Sequence, residues 1–442
     1  MNFPTFRKSV KDKPGAACVG AGMRRTLRLA VTGLLLGGSW GTVRADDWPD
    51  FLGPKRRGVS AETLWNQEWE AAEPKTAWKV QVGVGSSSMS VVGGKLYTMG
   101  AHREGREAVI CLNAATGKEI WRQEYPCKFD KRMFDGGTSS TPVIDKDLVY
   151  TLSYLGDLYC WRAADGSKVW QRNLERDFKG VRPRWGWAGS PLVVGNMLIV
   201  EPGGNGSSVA ALEKTTGKTL WQKGSDPAAY AAPIIFSGPA MRGVALFNAS
   251  GLVGINPVNG DELFRQPWKT DYDVNASQPI HRDGSFFLST GYGTGAGLAQ
   301  VSPGSTSLKW KNKAVMTQFQ SGVLAGNEVY VVSGDNSSKA ELKCLDFATG
   351  TVRWSHRVGS GSNGHVIAVG GRLIVVPDSG EVLLAEAGPA GFKELGSTHP
   401  LPGRVWAPPA FSDGRLFVRN NNGTLVCLDL RLTGSPSGPP VN

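Results

Sequence analysis

Long helical periodicity is scarce in these 442 residues, and the apolar run Leu29 to Leu36 is too short to span a bilayer. With 58 glycines and 40% apolar content, that scarcity favours an all-β chain with many turns. Cysteine is sparse, at six, and no Cys-x-x-Cys pair occurs. The five histidines, His102, His281, His356, His365 and His399, are scattered, so no zinc spacing is present. A Gly-x-Ser-x-Gly elbow is absent, which removes the usual serine-hydrolase signal. Gly217-Lys218-Thr219 imitates the end of a phosphate loop, but Leu212 stands where its leading glycine belongs. The glycine-rich stretch Gly291 to Gly297 joins two apolar segments with no helix after it, so a nucleotide site does not follow.

The formal charge of +11 is misleading. Residues 1–45 hold eight Lys or Arg and one acid, and the rest of the chain carries only +4. A basic face for nucleic acid is therefore not expected. Met23-Arg24-Arg25, the apolar run and Val43-Arg44-Ala45 read as a secretory signal peptide starting at Met23 and cleaved before Asp46. The expected layout is a signal region over 1–45, a lead-in over 46–76, a repeat domain over 77–434 and a tail over 435–442. The mature chain is expected to be periplasmic or secreted, monomeric and without a membrane span.

What is abundant is repetition. Ala211 to Trp221 reads as a strand end, a tight Thr216-Gly217 turn and a return strand opening on tryptophan. Imperfect copies run from Cys111, Cys160, Gly254, Gln300 and Cys344, each with its aromatic nine residues after the position matching Leu212. A second frame, two apolar strands around a charged or glycine turn, starts at 89, 142, 191, 233, 279, 322, 366 and 409. Each period of 42 to 53 residues thus holds four strands, the signature of propeller blades. The expectation is an all-β, eight-bladed β-propeller of four-stranded antiparallel blades. Blade seven is degenerate around Ala385 to Leu395, and blade eight reaches Thr433-Gly434 without a tryptophan. The orphan strand at Trp78 supplies the missing piece and closes the ring, which removes exposed sheet edges.

Six tryptophans, Trp78, Trp121, Trp170, Trp221, Trp310 and Trp354, occupy the repeated position. A flat ring there wedges between sheets, so these six are read as structural and not as ligand sites. Cys111, Cys160, Cys344 and Cys427 share the position of Ala211. A slot accepting Ala or Cys is small and buried, so packed thiols are expected there, with a disulfide between neighbouring repeats as the other reading. Cys127 falls in a loop.

Thr-Gly-Lys turns alternating with terminal tryptophans resemble the pyrroloquinoline-quinone (PQQ) repeat family. Its motif matches Ala211 to Trp221 apart from Glu213, Cys111 to Trp121 with Asn113 in the acidic place, and Cys344 to Trp354 with Asp346. The resemblance spans about residues 77–430 and implies the fold far more than an activity. It implies one of two branches. Quinoprotein alcohol dehydrogenases hold PQQ and Ca²⁺ in the channel and use an aspartate base. Cofactor-free BamB-like propellers serve as scaffolds of the outer-membrane assembly machinery. This chain lacks the adjacent cysteines of the dehydrogenases and their large insertions, which favours an exported, non-catalytic scaffold with no cofactor. The alternative is the PQQ- and Ca²⁺-dependent dehydrogenase.

In a propeller, the segment before each innermost strand lies at the channel mouth. Those segments carry Asp135, Arg182, Arg184, Trp185, Trp187, Tyr230, Asp273, Asn275, Gln318, Gln320, Asn363, His365, Arg404 and Trp406. Arginine, amide and aromatic groups together suit a peptide, glycan or protein partner in the envelope. Arg182-Pro183-Arg184-Trp185-Gly186-Trp187 is the densest group, with a plain solvated loop as its other reading.

Overall fold

The hairpin seen in the sequence is the building unit. Strands Val209–Glu213 and Thr219–Lys223 are joined by a turn in which Gly217 takes φ 71°. That left-handed conformation costs glycine little, and the turn closes through Glu213 N–H donating to the Lys218 carbonyl at 2.8 Å. One extra residue, Leu220, bulges out, so Trp221 lands directly opposite Ala211. The same bulge sets Trp121 opposite Cys111, Trp170 opposite Cys160, Trp354 opposite Cys344 and Trp78 opposite Cys427. In these five blades a large ring thus faces a small residue.

A computed structural model describes residues 46–102, 105–128, 136–335 and 338–432. The expected signal region, the tail, Thr433-Gly434 and Asp135 lie outside the described residues. Eight antiparallel sheets follow in order, over residues 90–126, 143–173, 192–223, 234–267, 280–312, 323–357, 364–398 and 410–429. The last has three strands of its own and takes Lys75–Gln81 as its fourth, with Trp78 against Cys427, so head and tail share one sheet. Two details depart from expectation. Blade seven gains a fifth strand, Val59–Ser60, running parallel to Gly364–Val369. In blade five a tighter hairpin pairs Ser302 with Ser305, so Trp310 faces Leu298, and Gln300 does not occupy the Ala211 position.

Each docking tryptophan reaches the next blade. The indole N–H of Trp121 donates to Ala163 O at 3.1 Å, Trp170 to Lys214 O at 2.9 Å and Trp221 to Pro257 O at 3.0 Å. Trp310 donates to Phe347 O at 3.2 Å and Trp354 to Gly388 O at 2.9 Å. The rings of Trp78, Trp121, Trp170, Trp221 and Trp310 lie on Gly117, Gly166, Gly217, Gly260 and Gly350 of the following turns. Blade four has Phe264, which cannot donate, and its ring folds back over Gly254 of its own blade. Blade seven has Gly396 in that place, and Trp69 of the lead-in packs onto it. All five cysteines among the described residues are buried and free, so the packed-thiol reading holds and the disulfide does not form.

The lead-in does more than cover a face. Residues 46–62 run round the innermost strands and touch every blade. Trp48 exchanges backbone hydrogen bonds with Val91 of blade one at 2.7 Å, and Pro49 O accepts from Ile144 N–H of blade two at 2.9 Å. Arg56 donates to Ser190 O and Pro191 O of blade three and to Pro233 O of blade four. Gln278 of blade five donates to Arg56 O, and Gly58 lies against Val323 of blade six. After pairing with blade seven, the segment ends with Glu62 accepting from the backbone of Asp413 and Gly414 in blade eight at 3.0 and 2.9 Å.

A second buried arginine seals the junction of blades eight and one. Arg419 is inaccessible to solvent and donates to Ser87 O, Met99 O, Gly83 O, Gly85 O and Thr98 Oγ1 at 2.7–3.1 Å. Burial without a carboxylate lowers its pKa to about 9.

Candidate functional site

Residues 46–62 run round the inside of the ring, and beside them lies a cup of about 180 Å³ with Phe51 of that segment in its lining. The wall is aromatic: Tyr154, Trp185, Tyr230, Tyr292, Phe319 and Trp406. Small residues between them, such as Ser86, Ser139, Ala188 and Ala276, keep it open. Trp185 and Tyr230 lie 5.8 Å apart, Tyr272 and Tyr292 5.5 Å, and Phe319 and Trp406 5.0 Å. Such tilted ring pairs are favourable beyond the area they bury. Arginines stand over these rings at the rim. The Arg184 guanidinium is 5.2 Å from the Trp185 ring and 5.4 Å from that of Tyr272, Arg182 is 5.8 Å from Tyr154, and Arg404 is 4.8 Å from Trp406.

The mouth residues expected from the sequence separate into three groups. Trp185, Tyr230, Gln318, His365 and Trp406 line the cup, and Arg182, Arg184, Arg404 and the exposed Asp273 flank it. Asn275 and Gln320 are fully buried and do structural work. The Asn275 amide donates to Asn248 O and Trp268 O at 2.7 and 3.0 Å, while Gln320 Oε1 accepts from the backbone of Gln318 and Phe319. Asn363 is likewise buried. Trp187 does not face the mouth. It packs between blades two and three with Leu174, Tyr150 and Leu198, its ring against Gly156. Residues two apart in an extended chain share a face, but Gly186 turns between Trp185 and Trp187 at φ 80°, so the two rings diverge.

Sequence reading missed Phe51, Tyr154, Tyr292 and Phe319. Phe319 stands between two residues it did select, and Tyr292 sits inside the glycine-rich stretch set aside as a nucleotide site. Phe51 enters the lining only because the lead-in runs round the inside of the ring.

The polar groups of the lining are neutral. His365 is buried, which lowers its pKa to about 4, and its Nε2 sits 2.8 Å from Trp406 O. A carbonyl only accepts, so Nε2 carries the proton and Nδ1 is a bare acceptor. Gln318 Nε2 donates to Tyr292 Oη at 3.3 Å. The Tyr230 hydroxyl is pushed up to about 12, chiefly by burial. Ser86 and Ser139 hydroxyls face each other at 2.8 Å.

The PQQ and Ca²⁺ of the dehydrogenase branch can be compared with these donors. Ca²⁺ takes about six to eight oxygens, carboxylates prominent among them. None of the residues lining the cup is acidic, and its one basic residue, His365, is held neutral by burial. Among the described residues no three His, Cys, Asp or Glu side chains converge into a metal-binding group. The lining fits neither the cation nor a polycarboxylate quinone.

Comparison with known proteins agrees with the architecture. The family profile described as outer membrane protein assembly factor BamB matches residues 58–134 and 109–356. No curated protein matches the sequence. Among solved structures, BamB from Moraxella catarrhalis is similar at 14% identity and TM-score 0.57, over 83% of this chain and 100% of that one. A europium-containing methanol dehydrogenase is similar at 12% identity and TM-score 0.63, over 84% and 89%. The quinohemoprotein alcohol dehydrogenase ADHIIG from Pseudomonas putida HK5 is similar at 14% and TM-score 0.62, over 90% and 82%. At such identities the likeness is one of fold. Among the described residues no helix is long and apolar enough to cross a membrane. With more than half of its length matched and eight blades, six of them keyed by a tryptophan, the chain belongs to the PQQ-repeat β-propeller family, whose matching profile is that of BamB.

Proposed function

We propose that this protein is an exported, non-catalytic binding module of the cell envelope and that it holds its partner in the aromatic cup. One observation carries the reading. The lead-in runs round the inside of the ring and touches all eight blades, and beside it lies an uncharged, ring-lined cup with arginines at its rim. Aromatic and arginine groups around a concave floor are what recognition surfaces concentrate. The family profile's description, an outer membrane protein assembly factor, supports an envelope role.

Two measurements test this. The purified protein, with PQQ and Ca²⁺ added, is assayed for alcohol oxidation with a dye acceptor and for a quinone absorption band. Neither is expected, and turnover would establish the dehydrogenase instead. Envelope extract is then passed over wild type and the pair Trp185→Ala and Trp406→Ala. Loss of a specific partner with both variants is the expected result, and equal recovery removes the cup as the recognition site.

A further inference from the structure

The cup's lining narrows the ligand class, on the premise that the cup is the recognition site. We propose that it takes one neutral sugar ring of an envelope glycan, stacked on its aromatic wall.

Size comes first. The cup holds about 180 Å³, whereas pockets that bury a drug-sized ligand run from roughly 300 to 1,000 Å³. One six-membered ring fits the smaller figure. The shape of the wall comes next. Trp185 and Tyr230 form one tilted ring pair of the lining, and Phe319 and Trp406 form another. A pyranose has an apolar C–H face that lies on such a ring and a periphery of hydroxyls that must be satisfied when water leaves.

The lining holds unused polar capacity of the right kind. The Ser86–Ser139 pair, with Ser139 exposed, leaves one hydroxyl proton to give and lone pairs to accept. A ligand hydroxyl, which donates and accepts, meets both, whereas a plain aromatic molecule would leave them unmet. Charge points the same way. Arg404 has the Asp378 carboxylate in its field, and Arg184 and Asp273 both act on Tyr230, so the rim is mixed in sign. Neither a cation nor a polyanion is selected by such a rim.

The test uses the full chain and calorimetric titration. The probes are cellotetraose, maltotetraose and the N-acetylglucosamine tetramer, with galacturonic acid trimer, an acidic peptide, choline, and PQQ with Ca²⁺ as the competing classes. At least one neutral oligosaccharide is expected to bind. Trp185→Ala and Trp406→Ala should each weaken it at least about tenfold, the effect of losing one well-packed contact. Ser139→Ala, which removes an exposed hydroxyl of the lining, should weaken it several-fold, and Leu220→Ala on the outer strand should not. Thermal unfolding of each variant separates lost contacts from lost folding. Binding of only a charged probe, no binding across the panel, or equal affinity in folded Trp185→Ala and Trp406→Ala would overturn the proposal. Capture of an envelope protein through the cup by a chain that binds no sugar overturns this inference and leaves the binding-module reading standing. Turnover with PQQ removes both.

Discussion

The indole of Trp78 donates to the Ala114 carbonyl at 3.0 Å, across the junction between the last blade and the first. A residue near the start of the chain thereby holds a sheet completed by residues 410–429 against a sheet begun at residue 90. Its ring also lies on Gly117 and 5.8 Å from Phe417. Trp78→Ala should therefore lower stability by about 3–5 kcal/mol, the cost of emptying a buried aromatic site. Trp354→Ala, at a half-buried site between blades six and seven, should cost less. Urea unfolding of both variants measures the difference.

The turn glycines give a sharper comparison. Gly217 and Gly195 both have positive φ, 71° and 59°. A Cβ on Gly217 would come 2.8 Å from the Trp170 ring, while one on Gly195 meets nothing within 4 Å. Gly195→Ala should cost only the left-handed backbone penalty of about 1–2 kcal/mol. Gly217→Ala should cost visibly more in the same denaturation assay, and that excess should shrink when Trp170 is already alanine.

Arg56, which is buried, ties the lead-in to blades three and four and pairs with the half-buried Asp50 at 2.8 Å. Removing one member of such a pair leaves an uncompensated charge and costs about 3–5 kcal/mol. Arg56→Met is expected to fall in that range, and adding Asp50→Asn should restore part of the loss. Calorimetric melting of the single and double variants decides it.

Glu107 supplies the pH dependence. It is buried, accepts from the Tyr125 hydroxyl at 2.6 Å, and burial raises its pKa from 4.5 to about 7. A carboxyl raised on folding binds its proton more tightly in the folded state. Its contribution is complete below about pH 4.5 and is lost as pH rises through about 7. A shift of this size corresponds to roughly 3 kcal/mol. Glu107→Gln should therefore be more stable than wild type at pH 8 and gain little at pH 5, as read by thermal melts at the two pH values. Glu201, raised to about 8 by burial and by Asp226, adds a term of the same sign. His365 opposes both, because its pKa is lowered to about 4 and its contribution fades as pH falls from 6.5.

Blade number, the Thr-Gly turns, the tryptophan slot and the closure at Trp78 follow from residue order, because each repeat uses short-range rules. A glycine must sit at the left-handed turn position, a ring faces a small residue in every aromatic-bearing blade but the fifth, and an eighth blade short of one strand must borrow it. Neighbouring repeats meet the same environment, so the pattern survives in one dimension. The cup does not obey such rules. Its lining draws one or two side chains from each of several blades, and which of two nearby residues faces inward depends on a single loop turn, as Trp185 and Trp187 demonstrate. Arg56, Arg419 and Phe51 were invisible for the same reason. Their partners lie up to 336 residues away, and only closure of the ring brings those backbone carbonyls within reach of one guanidinium.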